Sequence, residues 1–106
     1  MSNPQALLNL INYLESENNV VVRIRLAIPA SPDQIHELVE LIRAVGKECK
    51  NDSAIDRRIP VYLFGIVAGM EACLPSYPRE QQDQLQEWIA LVDDTVIDCL
   101  KGEVVP

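Results

Sequence analysis

Four stretches of the chain repeat apolar side chains every three or four residues, and short polar segments rich in proline, serine and asparagine separate them. That period turns one side of a helix toward a core. The first stretch begins at Pro4, with Ser2 or Asn3 as its cap, and aligns Leu7, Leu10, Ile11 and Leu14. The second is capped by Ser31, takes Pro32 in its first turn and holds Gln34 where a capping box calls for Glu or Gln. Its apolar face is Ile35, Leu38, Val39, Ile42 and Val45, and it ends near Lys50. A turn follows at Asn51-Asp52-Ser53, with Asp52 or Ser53 capping a third element that runs to Leu74. Pro60 either kinks that element or splits off a short leading turn. The fourth helix runs from Pro78 to Lys101 and stops at Gly102, with Leu85, Trp88, Ile89, Val92, Val96, Cys99 and Leu100 on one face.

Residues 20–28 admit two readings. Val20, Val22, Ile24, Leu26 and Ile28 alternate along a β-branched segment, as in a strand. Leu7, Leu14, Val21 and Ile28 keep a common spacing of seven, as in a first helix that runs on. A strand here would need a partner, and only residues 61–67 offer one. The helix is therefore preferred. The expectation is a single all-α domain over residues 1–106, folded as an up-and-down four-helix bundle. The alternative is an α+β domain whose helices accompany a two-stranded ribbon of 20–28 and 61–67.

Composition fits one self-sufficient domain: 106 residues, 48% hydrophobic and 24% charged. The formal charge of −7 disfavours direct nucleic-acid binding and an anionic membrane surface, and admits a basic protein partner. Cys49, Cys73 and Cys99 are odd in number and far apart, which argues against a disulfide framework or a zinc knuckle. The N-terminus does not read as a signal peptide, and the longest apolar run, Ile59 to Met70, is roughly half of what a bilayer needs. The expected location is the cytoplasm, away from membranes.

Catalytic chemistry finds little support. His36 is the only histidine; a zinc-protease helix would need a second at position 40, where this chain has Glu40. Glu37 and Glu40, one turn apart, could share a divalent cation, and Glu80 and Asp83 repeat the spacing. His36, Glu37 and Glu40 are thus weak metal-ligand candidates. No glycine-rich phosphate loop or nucleophile signature is present, and no cofactor is expected.

Two surfaces suggest contact instead. The third element is apolar nearly all round, with Glu71 its only charge beyond Val61, so three neighbouring helices would leave part of it bare. Gly65 and Gly69, four apart, allow close approach of another helix, either within the chain or from a second copy. Tyr62, Phe64, Gly65, Ile66, Gly69 and Met70 are the expected self-association residues of a homodimer. On the fourth helix Glu80, Asp83, Glu87, Asp94 and Asp98 form one acidic ridge opposite the core face, uninterrupted by any basic residue between Arg79 and Lys101. The sequence therefore reads as a non-enzymatic regulator, adaptor or inhibitor that self-associates and meets a basic partner. Two alternatives remain: a metal- or small-ligand-binding bundle, and an acidic inhibitor of a nucleic-acid-binding protein whose ridge imitates phosphates.

Overall fold

A buried asparagine divides the chain's first helical stretch in two. Asn19 is 1% exposed. Its amide nitrogen donates to the carbonyls of Leu14 and Ser16 at 2.9 and 2.7 Å, and its Oδ1 accepts the Val22 N–H at 3.0 Å. One side chain thus ends one helix and caps the next, meeting backbone groups that neither helix could pair internally. The computed structural model, which describes residues 5–28, 30–50 and 56–101, accordingly has α1 at Gln5–Glu15 and a separate short α2 at Val20–Arg25. Residues 20–25 are helical, as preferred, but not a continuation of α1. The described residues contain no strand, so the ribbon of 20–28 with 61–67 is not formed. Tyr13 braces the break: its hydroxyl accepts the Val20 N–H at 2.9 Å, and burial raises its pKa.

Helix α2 ends in a Schellman turn. The Ile28 N–H donates to the Arg23 carbonyl at 2.8 Å and the Ala27 N–H to Ile24 at 3.2 Å, with Ala27 in the left-handed region at φ 56°. The following helix, α3 (Pro32–Cys49), opens on the capping box read from sequence. The Ser31 side chain accepts the Gln34 N–H at 3.3 Å and the Gln34 side chain accepts the Ser31 N–H at 2.8 Å.

Helix α4 (Arg58–Cys73) leads through a single 3-10 turn at Leu74–Ser76 into α5 (Arg79–Lys101). Pro60 falls in the first turn of α4, where its missing N–H costs nothing, so it lies at the start of this helix rather than within it. Asp56 accepts the Arg58 N–H at 2.9 Å and pairs with its guanidinium at 2.8 Å; these bonds from Arg58 lower the Asp56 pKa to about 2. The expected start at Pro4, the caps Ser2, Asn3, Asp52 and Ser53, the turn from Asn51 and the stop at Gly102 lie outside the described residues.

Helix α3 is the middle of the bundle, with α1 on one side and α5 on the other. Helix α4 packs mainly on α2 and α5. The core joins Leu7 and Leu10, Ile24, Ile35, Leu38 and Ile42, Leu63 and Met70, and Leu85, Val92 and Val96, all nearly fully buried. Each such side chain contributes roughly 1.5–3 kcal/mol over its exposed state. The carboxylate of Glu48, near the end of α3, accepts the Ala6 N–H at 2.7 Å. That fixes α1 antiparallel to α3 and sets a negative group at the positive end of its dipole.

Candidate functional site

Helix α4 has two apolar faces. Ile59, Leu63, Ile66, Val67 and Met70 follow one another at helical spacing and enter the chain's own core. On the opposite side Val61 is 71% exposed and Phe64 59% exposed, with Gly65, Ala68 and Ala72 beside them. A Cβ built on Gly65 or Gly69 would meet nothing within 4 Å, so neither glycine serves close packing inside the described chain. This corrects part of the sequence reading. Ile66 and Met70 belong to the core and cannot contribute to a contact there, whereas Phe64 and Gly65 are open and Tyr62 and Gly69 partly so. Val61, the most exposed large apolar side chain among the described residues, was missed. The available signal was spacing: Val61, Phe64, Gly65, Ala68 and Ala72 recur at helical intervals on the side away from Ile59, Leu63, Ile66, Val67 and Met70. With the turn that follows, residues 58–76 are also long and apolar enough to span a membrane by length and composition, which exceeds the run counted from sequence. The same helix supplies five buried core residues.

Beside Gly65, Tyr62 and Ile66, a depression of about 190 Å³ opens against Val21, Val22 and Arg25 of α2. A larger cavity, about 330 Å³, lies where the corner after α2 meets the first half of α5. Ile24, Ala27, Ile28 and Ala30 form one wall, and Leu85 and Trp88 the other. Tyr77 closes the end: its hydroxyl donates to the Ile24 carbonyl at 2.7 Å, and burial raises its pKa. Glu80, Gln81 and Gln84 line the rim. Trp88, expected on the core face, is only partly buried and also lines this cavity. Glu80 and Gln84 lie eight and four residues before it, on the same side of α5.

Glu80, Asp83, Glu87, Asp94 and Asp98 are all exposed, and none forms an ion pair among the described residues, where the salt bridges are Arg43–Glu40 and Arg58–Asp56. His36, Glu37 and Glu40 are exposed on α3, and Glu40 is held by Arg43 at 3.0 Å. Among the described residues no three His, Cys, Asp or Glu side chains gather as a metal site. No disulfide joins Cys49, Cys73 and Cys99. Burial pushes the Cys99 thiol up to about 11, and Cys73 donates its S–H to the Gly69 carbonyl at 3.2 Å.

Comparison of the chain with protein families, with characterised proteins and with solved structures returned no match. The functional reading therefore rests on the two α4 faces, the α5 ridge and the cavity between α2 and α5.

Proposed function

We propose that this is a non-enzymatic interaction domain that self-associates through the outer face of α4 and meets a basic partner through α5. The observation that carries the reading is the open apolar face of Val61, Phe64, Gly65, Ala68 and Ala72. Covering a large apolar side chain is worth roughly 1.5–3 kcal/mol, a sizeable fraction of a small domain's stability. A second copy suits this face in particular. Two α4 helices crossing antiparallel at Gly65 bring the Arg58 end of each near Glu71 of the other and oppose their helix dipoles. The small residues at positions 65, 68, 69 and 72 let the axes approach closely.

Sedimentation at micromolar concentration is expected to give twice the chain mass of 11.9 kDa. Phe64→Glu should return a monomer with unchanged helix content. Gly69→Leu should weaken the dimer while leaving the monomer folded, since the site is open within the chain and replacing glycine inside a helix gains roughly 0.5–1 kcal/mol. A wild-type monomer at high concentration overturns the reading.

The partner reading is favoured by the ridge, whose five carboxylates lack a cation among the described residues. Such a face repels itself by a few tenths of a kcal/mol per like-charged pair and attracts a basic surface.

A further inference from the structure

We infer that the cavity between α2 and α5 is an anchor site for one long basic side chain, arginine or lysine, from a partner segment that lies along the acidic ridge. The inference rests on the basic-partner reading and gives it a specific seat.

The volume of about 330 Å³ falls at the lower end of ligand-binding pockets, suited to a side chain rather than a large cofactor. Along α5 its lining passes from Glu80 through Gln84 and Leu85 to Trp88, from charged through polar to apolar. Eight residues of helix separate Glu80 from Trp88, about 12 Å along the axis. Long helical side chains tend to lean back over the preceding turn, which for Trp88 is the side of Gln84 and Glu80. The remaining gap suits an extended aliphatic stem with a charged head. The stem would cover Ile24, Leu85 and the indole, and the head would reach the Glu80 carboxylate.

The polar groups also specify the sign of the charge. The Glu80 carboxylate only accepts hydrogen bonds, and the Tyr77 hydroxyl has already given its proton to Ile24 and can only accept another. Among the described residues no Lys, Arg or His lines the cavity. An anion would find no charged partner there, whereas a cation finds Glu80, the aromatic ring of Trp88 and the neighbouring ridge charge of Asp83 and Glu87. Because Glu80 belongs to both cavity rim and ridge, a segment anchored there continues naturally along α5.

Trp88 is the only tryptophan, so its emission reports on this cavity alone. The probe is a fluorescein-labelled, end-capped peptide of alternating arginine and alanine, with a citrulline-for-arginine peptide as neutral counterpart. Anisotropy of the label reads binding anywhere on the protein; Trp88 emission, excited with unlabelled peptide, reads the cavity. The arginine peptide should raise anisotropy and change Trp88 emission with one common midpoint, which rises with salt. Glu80→Gln should weaken that midpoint about three- to fivefold. Glu37→Gln on α3, which removes the same charge outside the cavity, should leave it unchanged. Anisotropy that rises without a Trp88 response, or that is indifferent to Glu80→Gln, overturns the anchor and leaves the ridge as a partner surface. An equal response to the citrulline peptide overturns the cationic assignment. Absence of any binding by the arginine peptide to millimolar concentration overturns the anchor together with the basic-partner reading.

Discussion

Ala27 is the only non-glycine among the described residues with a positive φ, and it sits where a Schellman turn ordinarily takes glycine. The left-handed conformation costs an L-residue roughly 1–2 kcal/mol, while glycine loses roughly 0.5–1 kcal/mol of extra entropy on folding. Ala27→Gly should therefore stabilise the domain by about 0.5–1 kcal/mol, raising Tm by several degrees in a thermal melt followed by circular dichroism. A lowered Tm would mean that the alanine methyl is worth more to the cavity wall than the turn strain it imposes. Nothing in the sequence announced this corner, because alanine carries no turn signal. The Ser31–Gln34 capping box was legible for the opposite reason: both partners lie within one turn, and their side chains have few other uses there.

At the scale of elements, the break between α1 and α2 turns on Asn19. Its Ala variant would strip the cap from α2 and leave two carbonyls near the end of α1 without their donor. A lost N-cap and unpaired buried acceptors together cost about 2–3 kcal/mol. Asn19→Ala is expected to lower urea-unfolding stability by that amount, and a loss below 0.5 kcal/mol would show that water replaces the side chain without penalty. The polar run from Glu15 to Asn19 was visible in sequence, but the seven-residue spacing of Leu7, Leu14 and Val21 argued for continuity across it. Periodicity registers where apolar residues fall, not whether a short side chain diverts the backbone between them. The two faces of α4 were hidden in a similar way. Both are apolar, so the pattern called for cover without saying which half the chain itself would supply. Six residues were expected on a contact surface; Ile66 and Met70 instead complete the core with Leu63.

For the whole molecule, the sequence conveyed the class of the fold better than the order of its helices. Every long helix has an apolar stripe, which specifies a bundle, but the most apolar helix is not the central one. Helix α3 holds the middle with a conventional polar outer face, whereas α4 leans on α2 and α5 at the edge of a body measuring 46 × 25 × 22 Å. Placement of this kind depends on how all the faces fit at once, and no single stretch records it. The cavity was illegible for the same reason: its walls are more than fifty residues apart, and the Tyr77–Ile24 hydrogen bond that joins them is not visible in either stretch alone. The peripheral seat of α4 has a kinetic consequence. A helix held by two neighbours can open without dismantling the row of α1, α3 and α5, so its amides should trade hydrogen for deuterium through a partial opening, faster than those of α3. If a second copy closes over the outer face, that opening becomes subject to mass action. Deuterium uptake in Leu63–Met70 should then slow as protein concentration is raised while uptake in Leu38–Val45 stays constant, and uptake in α4 that ignores concentration would mean the edge helix stands alone.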